Sequence, residues 1–253
     1  MTPWPLVIAH RGDSAHRPEN TLASFASALE LGASMIELDV QLSADGHVVV
    51  LHDPTVDRTT DGRGDVRRMS LGEVRALSAG YPDRFGRAWS GERVPTLAEA
   101  LTLVRERARL MIEIKKESVS DDAEGGIEAR TIAEVRRLGL GDQVALISFE
   151  HRALVRCRKL APEIVRGHLF GRAAPGELLS SARDAGCGIV MPHKGQLSEM
   201  VAAQVHEAGL KLATWVVDEP EELKRLAPYR LFGVGSNCPG VLMQALDDGL
   251  LED

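Results

Sequence analysis

A closed (β/α)8 barrel, the TIM-barrel architecture of the α/β class, is the fold that three features of the sequence predict. Eight apolar runs of strand length alternate with longer amphipathic stretches from one end of the 253 residues to the other. The turn after the first run reads His10-Arg11-Gly12-Asp13, where an open doubly wound sheet would want a Gly-rich phosphate loop. A chain of this length with 44% hydrophobic residues can bury a large core, and eight βα units favour one closed domain over residues 1–253.

The predicted strands are 6–9, 35–40, 110–114, 144–148, 164–169, 188–191, 211–217 and 231–234. Helices are predicted near 21–31, 97–108, 126–138, 150–160, 176–185, 198–208, 219–227 and 240–248, where apolar residues recur three and four apart. Asn20 or Thr21 can cap the first helix, Thr96 with Glu99 reads as a capping box, and Gly32 and Gly209 follow helix ends. Residues 41–95 are too long for a plain βα turn, with Ala44-Asp45-Gly46 forming a hairpin turn before 48–51. We therefore place an insertion subdomain at 53–95, between strand 2 and helix 2. Within it, Ser70 and Glu73 open a short helix whose apolar face is Leu71, Val74 and Leu77. A segment emerging at the C-terminal end of a barrel strand makes a wall or lid for a site there.

Charge excludes some partners. With 30 basic and 37 acidic side chains the net charge is −7, so no long positive stripe for nucleic acid or an anionic membrane is expected. No apolar run reaches the length of a membrane span, and residues 1–6 lack the basic-then-apolar pattern of a secretory signal, so stable membrane insertion is not expected and the expected location is the cytoplasm. Cys157, Cys187 and Cys238 are odd in number and far apart, and read as reduced, small apolar residues. Oligomeric state is not legible.

The second strand, Ile36-Glu37-Leu38-Asp39-Val40, carries two carboxylates on one face and apolar residues on the other. A parallel strand is usually apolar on both faces, and a buried carboxylate is costly without a compensating cation. The third strand repeats the anomaly with Glu113 and Lys115 on one face. Three carboxylates against one lysine suit a hard divalent ion, Mg²⁺ or Ca²⁺, or else a salt-bridge network without function. Histidines close two further apolar runs, as Ala9-His10-Arg11 and Leu51-His52-Asp53. Histidine exchanges protons near neutral pH and guanidinium matches a phosphate's oxygens. His16, His47, His151, His168, His193 and His206 read as structural or surface residues, and Glu19 either reaches a metal through water or serves the first helix's N-terminus.

At these residues the chain resembles the glycerophosphodiester phosphodiesterase family. The resemblance begins at Ala9-His10-Arg11-Gly12 and runs through Pro18-Glu19-Asn20-Thr21, Glu37-Leu38-Asp39-Val40, Asp45-Gly46 and His52-Asp53. It continues through Asp57-Arg58-Thr59-Thr60-Asp61-Gly62, Ile112-Glu113-Ile114-Lys115, Ser148-Phe149 and Ala208-Gly209-Leu210-Lys211 leading to Trp215. It implies that Glu37, Asp39 and Glu113 bind one divalent metal, that His10 and His52 are an acid/base pair, that Arg11 and Lys115 hold phosphate, and that Phe149 and Trp215 line the pocket. The implied activity is hydrolysis of small glycerophosphodiesters to glycerol 3-phosphate and an alcohol. Phospholipase D-like hydrolysis of lysophospholipids, or a silent barrel that only binds a phosphorylated polyol, are the rival readings. Two places depart from the family pattern. Its final strand commonly reads Gly-Val-Asp-Gly-Ile-Ile-Thr-Asp before a proline, whereas here Arg230 to Asn237 precede Pro239, with Phe232 for the Asp and Gly235 for an isoleucine. Trp215-Val216-Val217-Asp218 replaces the commoner Trp-Thr-Val-Asn.

Overall fold

The computed structural model describes residues 5–172 and 175–251, so residues 1–4, on which the reading of a missing secretory signal partly rests, lie outside the described residues. Among the described residues nine strands form one sheet: β1 (Leu6–His10), β2 (Met35–Leu42), β3 (Val48–Val50), β4 (Arg109–Ile114), β5 (Val144–Ser148), β6 (Val165–Phe170), β7 (Ile189–Pro192), β8 (Lys211–Thr214) and β9 (Gly233–Ser236). All but β3 run parallel, and β1 pairs with both β2 and β9, which closes an eight-stranded barrel. Strand β3 is antiparallel to the far end of β2, with Val50 opposite Val40. The helices are α1 (Leu22–Glu30), α2 (Leu71–Ala76), α3 (Pro82–Phe85), α4 (Leu97–Val104), α5 (Ile127–Arg137), α6 (His151–Leu160), α7 (Pro175–Asp184), α8 (Glu199–Glu207), α9 (Pro220–Leu226) and α10 (Pro239–Asp247). Every strand and helix expected from the periodicity overlaps one of these.

The two faces of β2 and β4 separate as their alternation requires. Ile36, Leu38 and Val40, with Ile112 and Ile114, pack outward against Phe25 of α1, Leu97 and Leu101 of α4 and Ile127 of α5. Burying each such side chain is worth about 1.5–3 kcal/mol, so this layer fixes the strands against their helices. Met35 and Met111 face inward with Ile8, Ile147, Leu169, Ile189, Met191 and Ala213. That apolar floor fills the barrel's lower interior, and the next inward positions along β2 and β4 are Glu37, Asp39 and Glu113.

The helix starts follow the expected chemistry. The Thr21 side chain accepts from the Ser24 N–H at α1, and complete capping boxes form at Thr96/Glu99 for α4 and Ser70/Glu73 for α2. In the hairpin between β2 and β3, Gly46 takes φ +82° and its N–H bonds Ser43 O at 3.0 Å, a conformation that favours glycine. Beyond β3, Val49, Leu51, Val56, Val66, Val74, Ala79 and Val94 form a cluster of their own. An Arg84 N–H donates to Ala15 O at 2.9 Å, which sets this segment against the β1–α1 loop.

The last strand lies two residues later than expected, at Gly233–Ser236 instead of 231–234. Its two glycines hide the side-chain period, and the apolar Leu231 and Phe232 precede the barrel pairing of Gly233 with Leu6 and Ala213. Strand β8 ends at Thr214, three residues early. Cys157 and Cys187 are buried free thiols and Cys238 a half-buried one.

Candidate active site

Three strands converge on one end of the barrel. His10 ends β1 opposite Glu37, and Asp39 on β2 stands opposite Glu113 on β4. One oxygen from each of Glu37, Asp39 and Glu113 lies within 4.8 Å of the others, and all three side chains are buried. Lys115 Nζ donates to Glu113 Oε1 at 2.7 Å and stands 3.4 Å from Asp39 Oδ1. Arg11 places Nε 3.2 Å from Asp39 Oδ2 and donates its backbone N–H to Glu37 Oε2 at 3.1 Å.

Two cations thus serve three buried carboxylates and are unevenly shared. Burial opposes ionisation of Asp39, but Arg11 and Lys115 outweigh it and hold its carboxyl below the usual range. Burial and the neighbouring Asp39 push Glu113 up to about 7, and burial with Asp39 and Glu113 pushes Glu37 well above its ordinary value. Glu37 Oε1 and Asp39 Oδ1 are buried oxygens that accept no hydrogen bond. The ion pairs that a salt-bridge network without function would need are present, yet they leave acceptor oxygens and negative charge uncompensated. An all-oxygen cluster of this kind fits a divalent cation.

A cavity of about 290 Å³ opens above the cluster, lined by His10, Arg11, Glu37, His52, Glu113 and Lys115 on one side and Ile147, Phe149, Leu169, Met191 and Trp215 on the other. Eight of the nine site residues expected from the sequence reach its wall, and Asp39 lies beneath with no exposed surface. Phe149 and Trp215 meet edge to face at 5.4 Å between centroids, and Trp215 donates Nε1–H to Met191 O at 3.1 Å. A larger groove of about 810 Å³ at the opposite end of the barrel is lined mainly by apolar residues such as Leu6, Leu212 and Phe232 and, among the described residues, by no carboxylate.

The two histidines are anchored differently. His52 Nδ1 is 2.6 Å from Asp53 Oδ1, and Arg58 from the insertion bonds both Asp53 and Glu19. His10 Nδ1 is 2.8 Å from Asn237 Oδ1, and its Nε2 is 4.0 Å from Glu37 Oε2. Burial and the Arg11 charge lower the His10 pKa to about 4. Arg58, Asp53, Asn20 and Asn237 hold these side chains by hydrogen bonds, and periodicity and residue type did not single them out as part of the site. Asn20 grips Asp39 twice, donating Nδ2–H to Oδ2 at 2.8 Å and accepting the Asp39 N–H at 3.2 Å. Its backbone is left-handed, φ +58°, a region that asparagine tolerates better than most residues. Glu19 pairs with Arg11 and Arg58, while Thr21 supplies the cap of α1.

The sequence profile of the Glycerophosphoryl diester phosphodiesterase family matches residues 10–241. The chain belongs to this family. It is 38% identical over 260 residues to a glycerophosphodiester phosphodiesterase of Caldanaerobacter subterraneus subsp. tengcongensis, covering 96% of this chain and 98% of that one. Its fold matches a phosphodiesterase of Oleispira antarctica, solved in complex with the product sn-glycerol-3-phosphate, with TM-score 0.89, 31% identity and coverage of 96% and 97% of the two chains. A glycerophosphodiester phosphodiesterase structure from Agrobacterium tumefaciens aligns with TM-score 0.81 and 30% identity over 95% of this chain and 99% of that one. As a member of the glycerophosphodiester phosphodiesterase family the chain is a phosphoric diester hydrolase. Among the described residues, no helix is long and apolar enough to cross a membrane.

Proposed function

We propose that the enzyme hydrolyses small glycerophosphodiesters to sn-glycerol 3-phosphate and an alcohol in the cytoplasm, with one Mg²⁺ or Ca²⁺ held by Glu37, Asp39 and Glu113 and with His10 and His52 exchanging protons. The observation that carries this reading is the buried carboxylate cluster with its uncompensated oxygens, directly under a cavity that both histidines line. A divalent ion at that cluster, when bound, supplies positive charge for a phosphate oxygen and acidifies a nearby hydroxyl.

The chain's own residues do the rest. Arg11 and Lys115 each line the cavity while touching a carboxylate, so their positive charge is fixed before substrate arrives and needs no rearrangement as charge grows on phosphorus. One histidine takes the proton of the attacking hydroxyl and the other protonates the leaving alcohol. Where the glycerol's own hydroxyl attacks, a cyclic phosphate is formed, and the same pair opens it with water in exchanged roles. Phe149 and Trp215 give the opposite wall an apolar surface for the carbon skeleton.

A free, water-dispersed diester suits the small cavity, and residues 53–68 of the insertion are mainly polar, which argues against a lysophospholipid at a membrane. Incubation with glycerophosphocholine and with lysophosphatidylcholine, each with EDTA, Mg²⁺ or Ca²⁺, tests the reading by product identification. The expected outcome is sn-glycerol 3-phosphate and choline from the first substrate, with ion added. Turnover of lysophosphatidylcholine alone, or full activity after exhaustive chelation, would refute it.

A further inference from the structure

His10 is tied to a second chain of hydrogen bonds that reaches away from the cavity into the loop after β8. Asn237, directly after β9, stands between His10 and Asp218. Its Nδ2–H donates to Asp218 Oδ2 at 2.9 Å, and its backbone N–H donates to Asp218 Oδ1 at 2.7 Å. Ser236 Oγ–H adds a third bond to Asp218 Oδ1 at 3.0 Å. The Asp218 carboxylate therefore takes three donors from two adjacent residues, which locks the Asn237 side chain to its own backbone.

That lock decides the amide's orientation. A carboxylate only accepts, so the end of the Asn237 amide facing Asp218 must be the NH₂ group. The carbonyl oxygen then faces the other way, 2.8 Å from His10 Nδ1 and 3.0 Å from Ser14 Oγ. Ser14 Oγ is also 2.8 Å from the His10 carbonyl oxygen, and Ala15 N–H donates to Asn237 O at 2.9 Å, so the β1–α1 loop and the end of β9 hold each other. An acceptor at Nδ1 requires the His10 proton to sit there. The ring's other nitrogen, Nε2, is then the atom turned toward Glu37 and the cavity.

We propose that Asp218 is a positioning residue for the hydrolysis: through Asn237 it fixes His10 as the Nδ1–H tautomer and dedicates Nε2 to proton exchange with substrate. This rests on the reading that His10 exchanges that proton. Asp218 and Asn237 are also the ends of the two segments at which the sequence departs from the family pattern, which has the amide after Trp-Thr-Val and the carboxylate after Ile-Ile-Thr. The departures are therefore in contact, and carboxylate and amide stand in exchanged places, an exchange that still sets one NH₂ donor against one carboxylate.

The exchange supplies the test. In Asp218→Asn the new amide can keep the Asn237 backbone N–H on its oxygen, but its NH₂ then confronts the Asn237 NH₂. Turning the Asn237 amide over relieves this and presents a donor to His10 Nδ1, which favours the wrong tautomer. Asn237→Asp alone sets two carboxylates 2.9 Å apart. The double variant D218N/N237D restores donor to acceptor at each contact. We expect kcat on glycerophosphocholine to fall about 10–100-fold in either single variant, the scale of lost support for a working imidazole, with KM within about twofold, and to recover to within a few-fold of wild type in the double variant. The imidazole ¹⁵N shifts of His10, assigned with His10→Gln, should report a bare Nε2 in wild type and in the double variant and a shifted tautomer in D218N. Wild-type kcat with an unchanged tautomer in D218N would overturn the proposal, and so would a double variant no better than the singles. If His10 takes no part in the chemistry, His10→Ala keeps its turnover, while the ¹⁵N spectra still decide what Asp218 does.

Discussion

Replacing Glu113 by glutamine should make the metal-free enzyme more stable while abolishing its use of a metal. Burial and the repulsion from Asp39 raise the Glu113 pKa from 4.5 to about 7 despite the bond from Lys115. That is about 2.5 decades in proton affinity, or about 3 kcal/mol of differential stability. The sign follows from proton counting. Between pH 4.5 and 7 the folded chain holds a proton on Glu113 that the unfolded chain has released, so stability falls as pH rises through that window. Above pH 7 the full cost is present, and below 4.5 it vanishes. Glutamine keeps an oxygen for Lys115 Nζ and removes the charge, so in EDTA at pH 8 it should gain up to about 3 kcal/mol. For a chain of this size that is a rise of about 6–12 °C in Tm, shrinking toward zero near pH 4.5. Urea and thermal unfolding of both proteins at several pH values, in EDTA and in Mg²⁺ or Ca²⁺, give the comparison. Adding the ion should raise wild-type stability and leave the variant unchanged. A variant less stable than wild type in EDTA at pH 8 would refute the picture of three carboxylates in unrelieved repulsion.

His10→Ala and His52→Ala should each lower kcat by about 10²–10⁴-fold, the usual worth of one acid or base, with unchanged circular dichroism; turnover near wild type in either removes that histidine from the chemistry. Arg58→Met should lower kcat about tenfold or more while KM changes little, because it frees Asp53 and with it the His52 ring; a variant with normal kcat would show that Asp53 holds the ring unaided. Burial and the neighbouring His151 lower the His168 pKa to about 4, so the unfolded chain binds the proton first and stability is lost as pH falls from 6.5 to 4. His168→Gln should flatten that acid limb by up to about 3 kcal/mol, as read from urea midpoints, and an unchanged slope would contradict it.

The strands that carry the chemistry were the most legible part of the chain. Glu37, Asp39, Glu113 and Lys115 break the apolar rule for parallel strands, and the period of two puts them on one face, which is the inward face found here. The helix starts at Thr21, Ser70 and Thr96 were readable because a side chain and a nearby backbone N–H fix each of them locally. Strand β9 was misplaced because Gly233 and Gly235 offer no side-chain alternation. The positioning groups were illegible for a different reason. Asn237 meets His10 across 227 positions and Arg58 meets Glu19 across 39, and neither spacing leaves a local pattern in the sequence. Such contacts exist only once the barrel closes β1 against β9 and the insertion folds over the β1–α1 loop.

Whether one divalent ion sits on Glu37, Asp39 and Glu113 is decided by calorimetric titration of the EDTA-stripped enzyme with Mg²⁺ and with Ca²⁺, in wild type and in Asp39→Asn. Asp39 is the residue to change because its fully buried carboxylate is held ionised between Arg11 and Lys115. Wild type should show one site per chain for at least one of the ions, with the affinity lost in the variant. Equal binding in both proteins, or a wild-type enzyme that binds neither ion and still hydrolyses glycerophosphocholine, would contradict it.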